Sequence, residues 1–300
     1  MNGPAWLVAA IGMWAVLDTN SKLLAEGYGA AQVLFIRHAV MLALFLGLRA
    51  LRTGVGGTLA TAHPWLQGLR ALAMLGSAAG FFLALRTLSL AEGYLVHFTA
   101  PFMLLGMAAL FLRESMPGRA WAWTAVGFAG VAIAILPSLG GAGAWQGYAW
   151  AFFGAFSYAV IMTINRRLRG EASLAGVILW PSLLGAVATL PFMLVEWNTP
   201  DLGDAVLLGM NGVISAGAMI AMSLAFRHAD AARLAPFEYS ALIFAVGFDI
   251  AIWGVVPAWQ VLAGAAVVVA ACLASERARR EAALGVSEFS AKRRMGGGHQ

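Results

Sequence analysis

Ten long apolar segments, separated by short connections, most strongly constrain what this chain can fold into. A helix needs about 20 mainly apolar residues to cross a bilayer, which matches these segments. A strand of a membrane β-barrel would instead show about ten residues of alternating polarity. We therefore predict an all-α integral membrane protein with ten transmembrane helices. The predicted spans are Pro4–Leu24, Ala30–Leu48, Trp65–Leu88, Ala91–Leu112, Ala120–Leu136, Trp145–Ile164, Leu174–Val195, Ala205–Phe226, Leu234–Gly254 and Ala258–Ser275.

The composition excludes the main classes of soluble protein. Of the 300 residues, 61% are hydrophobic and only 11% are charged, compared with about 25% charged residues in an ordinary soluble domain. So few charges cannot cover a water-soluble surface, and such high hydrophobicity excludes intrinsic disorder. Cys272 is the only cysteine, so a disulfide scaffold is excluded as well.

The basic residues predict the orientation of the spans, because positive charge accumulates on the cytoplasmic side. With a cytoplasmic N-terminus, 15 of the 19 basic residues lie inside, and only Lys22 and Arg86 lie outside. The sequence therefore predicts that both termini are cytoplasmic. The inside residues are Arg49, Arg52, Arg113, Arg119, Arg166, Arg167, Arg169, Arg227, Arg233, Arg277, Arg279, Arg280, Lys292, Arg293 and Arg294.

The two halves of the sequence resemble each other, which indicates an internal duplication. Because each half would hold five spans, an odd number, the second half would enter the membrane from the opposite face. Such inverted repeats are typical of secondary transporters, whose site lies near the midplane between the repeats. A duplication that serves packing alone is the alternative. The matched pairs are Trp14–Leu24 with Tyr158–Leu168, Ala84–Arg86 with Ala225–Arg227, and His97–Ala100 with Glu238–Ala241.

The duplication predicts two domains followed by a tail. Residues 1–140 would form the first five-helix repeat, and residues 145–276 the second, inverted repeat. Residues 277–300 are basic, and we expect them to form a flexible cytoplasmic tail.

In this layout the chain resembles the EamA-type branch of the drug/metabolite transporter superfamily. An arginine followed by a short turn and a long apolar helix recurs at Arg86 and Arg227. The segment Phe111–Glu114, with a proline three residues later, is similar to the FLGE…P junction of that family, although Arg113 replaces the usual glycine. The second copy, Trp253–Pro257, departs further because it lacks the acidic residue.

The resemblance implies a secondary transporter that exports small organic metabolites by alternating access across a bacterial-type inner membrane. Within the family, the aromatic-rich spans look most like those of the YddG-type exporters, which implies amino acids, aromatic ones included, as substrates. Transport of other metabolites or of lipophilic drugs is the alternative in the same superfamily. A membrane sensor or channel is the alternative class.

Other functions have no support in the motifs. The chain contains no phosphate-binding loop and no HExxH or GxSxG pattern, so we expect neither ATP-driven transport nor enzymatic activity. We expect no cofactor and no metal. The partners would be a small-molecule substrate and the lipid bilayer, without nucleic acid, because the basic residues are divided among loops and tail. An oligomer is not required, and a monomer would suffice.

Ionisable residues within spans are candidates for function, because insertion scales assign them a cost of about 2.5–3.5 kcal/mol each. His97 and Glu238 occupy repeat-related positions, so we expect them to lie on either side of the midplane as separate polar stations along one pathway. Hydrogen bonding within the bundle is their alternative role. Asp18 would couple protons or bind a substrate ammonium, or else pair with Lys22 at the i+4 position.

Three further ionisable residues lie nearer the ends of their spans. Arg37, Arg70 and Asp249 are therefore expected to extend their head groups to the interface, as long charged side chains do. A carboxylate-binding role in the cavity is the alternative for either arginine.

Aromatic side chains from several spans are expected to form the walls of a small-molecule site, which is usually apolar with few polar groups. Packing between helices is the alternative for each of them. Pro101 would free backbone groups and kink its span beside the cavity. The aromatic candidates are Trp14, Tyr94, Phe98, Tyr158, Trp180 and Tyr239.

Overall fold

The structure, a computed structural model, describes residues 2–52, 57–111, 117–138, 144–168, 174–229, 234 and 237–296. Within these ranges all regular secondary structure is helical, which confirms the predicted all-α class. A single 3-10 turn, Leu136–Ser138, follows the sixth helix. The helices are α1 (Gly3–Leu24), α2 (Ala30–Leu51), α3 (Pro64–Ala84), α4 (Leu90–His97), α5 (Ala100–Phe111), α6 (Gly118–Ile135), α7 (Ala144–Arg167), α8 (Leu174–Val195), α9 (Leu202–His228), α10 (Ser240–Trp253) and α11 (Trp259–Gly296).

These helices confirm the predicted spans. Nine helical segments of the described chain are long and apolar enough to cross a membrane, with α4 and α5 counted together as one. The shorter apolar helix α10 belongs to the remaining span. Helix α11 continues past Ser275 to Gly296, so the segment assigned to the tail begins as helix. Of the family-like junction, Leu112, Arg113 and Glu114 lie outside the described residues.

Two spans are interrupted at positions that the repeat relates. Helix α4 ends at His97 and α5 begins at Ala100, because Pro101 has no N–H to offer the His97 carbonyl. Within the break, the Thr99 hydroxyl donates a hydrogen bond of 2.6 Å to the Val96 carbonyl. In the second half, Tyr239 adopts a turn immediately before α10. Both breaks therefore fall in the matched segments His97–Ala100 and Glu238–Ala241.

The packing of the helices follows an inverted two-fold pattern. Exchanging each span with its counterpart five spans later converts the α1–α9 contact into the α7–α3 contact, and α2–α9 into α8–α3. The contacts α2–α8, α4–α10 and α6–α11 are converted into themselves. This pattern gives two groups, which we call bundle A (α1, α2, α9, α10) and bundle B (α3, α4, α5, α7, α8), with α6 and α11 packed together beside them.

Glycines allow the closest of these contacts. A Cβ on Gly80 would lie 2.8 Å from the Trp150 carbonyl oxygen and 2.9 Å from the Gly154 nitrogen, so the backbones of α3 and α7 meet there. Gly130 and Gly264 do the same for α6 and α11, since a Cβ on either would lie within 3.0 Å of the other's carbonyl oxygen. Small residues commonly permit such approaches between membrane helices.

Candidate functional site

Asp18 lies at the centre of a contact between the two bundles. The Tyr94 hydroxyl of α4 donates a hydrogen bond of 2.6 Å to Oδ2 of Asp18 on α1. The alternative pairing of Asp18 with Lys22 is wrong, because Lys22 lies 3.7 Å from Asp249 and pairs with that residue instead. Trp14 lies one turn before Asp18 on α1 and is partly exposed, and the i, i+4 spacing places both on one helix face.

Arg37 and Arg70 are both buried within the helical assembly. Arg37 of α2 is only 7% exposed, so it does not extend to the interface as expected, and within the described residues it donates no hydrogen bond to any neighbour. Arg70 is also buried, but it bonds the Asn165 side chain and the Gly176 carbonyl. The expected interfacial position is therefore wrong for both arginines.

Aromatic rings extend from Asp18 toward the helix break. Tyr94 meets Phe81 edge to face with centroids 5.4 Å apart, and Phe81 in turn meets His97 at 5.8 Å. His97 lies 4.8 Å from the Tyr158 ring. Edge-to-face geometry is the favoured arrangement of such rings. The candidates Tyr94, His97 and Tyr158 are thus brought into one continuous cluster.

A second row of rings joins the two interrupted spans. Phe98 is the residue at the first break, and Tyr239 is the residue at the second. The ring centroid of Phe98 lies 6.5 Å from that of Tyr94 and 5.4 Å from that of Tyr239. The Cys272 thiol of α11 approaches the Phe98 carbonyl at 3.8 Å. The repeat-related breaks therefore face each other across this row.

Glu238 is exposed and immediately precedes the turn at Tyr239. No hydrogen bond or ion pair joins His97 to Glu238 in the described structure, which leaves them as separate polar positions. Nδ1 of His97 is buried and has no hydrogen-bond partner among the described residues.

Two candidates stand apart from these rows. Trp180 is partly exposed on α8 next to Pro181, and its ring contacts none of the other candidate rings in the described part of the chain. Pro101 is exposed at the start of α5, where it causes the break but does not join the rows of rings.

Sequence reasoning misses one member of the site and misplaces another. Phe81 follows Gly80 of a GxxxG pattern on α3, and that pattern indicates only helix packing. Arg37 is recognisable as a charge within a span, but its burial depends on how α2 packs, which the sequence does not display.

Polar contacts between the bundles close one end of the protein. We call this end the Tyr28 face, and it carries the connections 25–29, 85–89, 196–201 and 254–258. Asp249 of α10 is fully buried and accepts hydrogen bonds from the backbone N–H groups of Leu90 and Ala91, at 3.0 and 2.9 Å. It therefore neutralises the positive end of the α4 dipole instead of extending to the interface.

Lys22 holds this aspartate from the side of α1. It pairs with Asp249 and donates a hydrogen bond of 2.9 Å to the Leu88 carbonyl. Its ammonium nitrogen also lies 4.7 Å from the Trp253 ring centroid, within the range of a cation–π contact. Lys22 thus connects α1, α10 and the start of α4.

Arg86 completes the closure from bundle B. It donates to the Tyr28 carbonyl of bundle A at 2.9 Å. We call Lys22, Arg86 and Asp249 the latch. A polar depression of about 710 Å³ lies over the latch and opens outward from the Tyr28 face.

Comparison with known proteins finds a matching family model and several relatives of similar length. Residues 145–275 match the EamA-like transporter family. The chain is 25% identical to an S-adenosylmethionine uptake transporter of Rickettsia bellii, over 90% of this chain and 92% of the relative. It is 24% identical to a pseudopaline exporter of Pseudomonas aeruginosa, over 93% and 97%, and 26% identical to a riboflavin transporter of Vibrio cholerae, over 90% and 91%.

Solved structures share the fold. One of them superposes with a TM-score of 0.64 at 17% identity, and the match covers 93% of this chain and 98% of the solved one. The inverted packing of ten spans, the family match and these full-length relatives agree with one another. The chain is a multi-pass membrane protein whose residues 145–275 match the EamA-like transporter family and which is similar over nine-tenths of its length to named transporters.

Proposed function

We propose that this protein is a secondary exporter of small organic metabolites, amino acids among them, that works by alternating access across a bacterial inner membrane. One observation carries the proposal: the two interrupted spans lie at repeat-related positions and present His97 and Glu238 beside aromatic rings. Interrupted helices at a repeat interface are where transporters of this type bind their substrates. An aromatic wall with few polar groups suits small amphipathic solutes.

The pathway would pass between the bundles. The latch closes the Tyr28 face, whereas Glu238 near the other end is exposed. In the orientation that the basic residues predict, the Tyr28 face lies outside and Glu238 is reached from the cytoplasm. The structure would then represent a state open toward the cytoplasm, from which an exporter loads its substrate.

The relatives support a transport function but do not identify the substrate, which we infer from this chain's own residues. Their names include both uptake transporters and an exporter, and the named solutes differ widely in chemistry. We infer amino acids as substrates from the aromatic rows and from the charged side chains of Asp18 and Arg37 within the spans. We further propose that residues 1–140 and 145–276 are the two inverted repeats, each of which contributes helices to both bundles.

Counterflow into proteoliposomes tests the proposal. Vesicles loaded with unlabelled amino acids should accumulate the labelled solute without ATP, and His97→Ala and Glu238→Gln should each reduce the initial rate by about tenfold or more, because each removes a polar group from the pathway. Asp201→Asn, on an exposed connection away from the depression, is the matched control and should transport normally. No flux above that of empty vesicles, for any solute in a broad panel, would overturn it.

A sensor is the competing function, and it makes a different prediction. It would bind a solute at the aromatic rows but would show no counterflow of that solute. Binding by calorimetry combined with zero flux in the same preparation would favour the sensor.

A further inference from the structure

We propose that His38 is a proton-sensitive switch between the two bundles: a proton on its imidazole loosens the contact of α2 with α8 and favours separation of bundle A from bundle B. The site is a buried histidine on α2, apart from both the aromatic rows and the latch. This inference rests on the proposed separation of the bundles during transport, and it assigns a ligand, the proton, to a contact that the proposed function leaves without a role.

His38 is a buried polar side chain without hydrogen-bond partners. It is 6% exposed, and neither Nδ1 nor Nε2 meets a partner among the described residues. A neutral imidazole carries one donor and one acceptor, whereas the protonated ring carries two donors and a full charge. Burying an unpaired charge costs far more than burying a neutral polar group. The contact therefore accommodates the neutral ring and disfavours the charged one.

The ring of His38 lies against the backbone of α8. A Cβ on Gly185 would lie 2.7 Å from both Nε2 and Cδ2 of His38, so the missing side chain provides the space that the ring occupies. Met41 and Phe45, one and two turns further along α2, form a buried cluster with Ile178 of α8. The imidazole is thus enclosed in an extended contact between the two helices, and it gains access to water when they separate.

No acidic side chain on either of these helices balances a charge on His38. Helix α8 carries no ionisable residue between Leu174 and Val195. On α2 the sequence neighbour of His38 is Arg37, which is also buried, and Arg49 lies in the last turn. A proton on His38 would therefore add a second positive charge next to Arg37, with no carboxylate from α2 or α8 to pair with it.

The other helices packed against α2 are α3 and α9, and their basic residues add no compensation. The only ionisable residue of α3 is Arg70, which bonds the Asn165 side chain of α7. Helix α9 approaches this part of α2 at Gly212, where a Cβ would lie 2.5 Å from the Val40 Cβ. The basic residues of α9 lie in its last turn, and they are Arg227 and His228.

The carboxylates on neighbouring helices are already engaged. Asp18 of α1 accepts a hydrogen bond from the Tyr94 hydroxyl, and Asp204 in the first turn of α9 accepts one from the Tyr28 hydroxyl. Neither makes a hydrogen bond or an ion pair with His38 in the described part of the chain. A charged imidazole therefore has no counter-ion while the bundles are in contact, whereas separation would hydrate it.

The position of this contact lets a local change act on both bundles. Helix α2 belongs to bundle A and α8 to bundle B, and the inverted repeat converts their contact into itself. The spacing of 144 residues that relates Trp14 to Tyr158 also relates His38 to Ser182. The Ser182 hydroxyl is fully buried and lacks a partner among the described residues. Both repeats thus place an unpaired polar group on these helices, so the contact lacks the hydrogen bonds that would oppose its separation.

The test measures the distance between the bundles at the Tyr28 face in the purified full-length protein, at about pH 8 and about pH 5.5, on either side of the ordinary histidine pKa. Nitroxide labels at Gly27→Cys and Thr87→Cys, which are exposed on the depression, report this distance by pulsed electron paramagnetic resonance. The short distance of the closed face should predominate at the higher pH. At the lower pH, the population with a longer distance should rise by about threefold or more.

Neutral variants of His38 isolate the contribution of its proton. His38→Gln and His38→Leu should each keep the short distance at both pH values, because neither side chain takes up a proton. Two variants are used so that poor folding of one leaves the other to decide. His63→Gln replaces an exposed histidine next to α3, and His97→Gln replaces the histidine at the end of α4. Both controls should respond to pH as the native protein does.

A purely structural role for His38 predicts a different pattern. Its neutral variants would then lower the melting temperature but keep the response of the distance to pH, and that result would overturn the inference. A native protein whose distance does not change with pH, or a response that disappears in the His97 variant, would overturn it too.

The distance measurement separates this inference from the proposed transport function. Counterflow of a solute combined with a distance that does not respond to pH would reject the switch and leave the transport function standing. A distance that responds to pH through His38, combined with no flux of any solute, would support the switch and count against transport.

Discussion

The positions of buried charged residues in this protein depend on the hydrogen-bond donors and charges that neighbouring helices supply. The sequence predicts that Asp249 reaches the interface, but it is 0% exposed because the N-terminus of α4 supplies two backbone donors and Lys22 supplies a charge. A buried carboxylate is tolerated only when it is paired and hydrogen-bonded in this way. Asp249 therefore connects α10 to both α1 and α4.

Asp249→Asn should markedly destabilise the protein. The change leaves Lys22 without its counter-charge and leaves one oxygen where two served α4, and breaking a buried pair costs about 3 kcal/mol or more. Thermal unfolding of the detergent-solubilised protein measures the loss. Asp201→Asn is the matched control: Asp201 is exposed and caps α9 by accepting from the Asp204 N–H at 2.8 Å, a task that asparagine performs equally well. Equal melting temperatures for both variants would contradict this account of Asp249.

The ionisable candidates show which properties of single residues the sequence predicts and which it does not. Residue type alone marks Asp18, Arg37 and His97 as costly within a span, and that ranking needs no structure. Which partner each one meets is not predictable, because Lys22 lies four residues from Asp18 in sequence yet pairs with Asp249 from the other half. Contacts between distant helices decide such choices.

Among the elements, glycines determine which helices meet backbone to backbone. Gly80 and Gly154 allow this for α3 and α7, and Gly130 and Gly264 allow it for α6 and α11. With 35 glycines in the chain, their spacing alone does not reveal which ones make such contacts. The interrupted spans are more accessible to prediction, because a proline and two matched polar segments are visible in the sequence.

Gly80→Ala should destabilise the α3–α7 contact, because the new methyl group would meet backbone atoms of Trp150 and Gly154 that cannot move aside. Overpacking of this kind typically costs about 1–3 kcal/mol. Gly68→Ala on the same helix is the control, since a Cβ there meets nothing within 4 Å. Melting temperatures of the two variants provide the comparison, and a Gly80 variant as stable as the Gly68 variant would show that the helices are not in backbone contact.

For the whole molecule, the sequence predicts more than it does for any single residue. Ten spans, their inverted arrangement and the resemblance to a transporter family follow from apolar length, an odd number of spans per repeat and a few matched motifs. The state of the protein does not follow, because closure of the Tyr28 face depends on the hydrogen bonds that the latch makes between bundles A and B. Orientation in the membrane is still a prediction from charge.

Labelling of single introduced cysteines tests that orientation. Glu26→Cys lies on the Tyr28 face and Arg52→Cys at the opposite end, and both positions are exposed. An impermeant maleimide should label the Glu26→Cys variant in intact cells and the Arg52→Cys variant only after permeabilisation, as the excess of basic residues at the Arg52 end predicts. The native Cys272 is buried and provides the unlabelled background. The reverse pattern would invert the topology and make the proposed direction of transport wrong.

Alternating access requires the two bundles to separate at the Tyr28 face during each transport cycle. A cleavable bifunctional thiol reagent that joins Gly27→Cys of bundle A to Thr87→Cys of bundle B tests this separation, because both positions are exposed and line the same depression. Cross-linking should abolish counterflow, and reduction should restore it. The control pair Trp197→Cys and Thr199→Cys, whose native side chains bond within one connection, should transport whether linked or not. Undiminished flux through the protein cross-linked between positions 27 and 87 would contradict alternating access at this face.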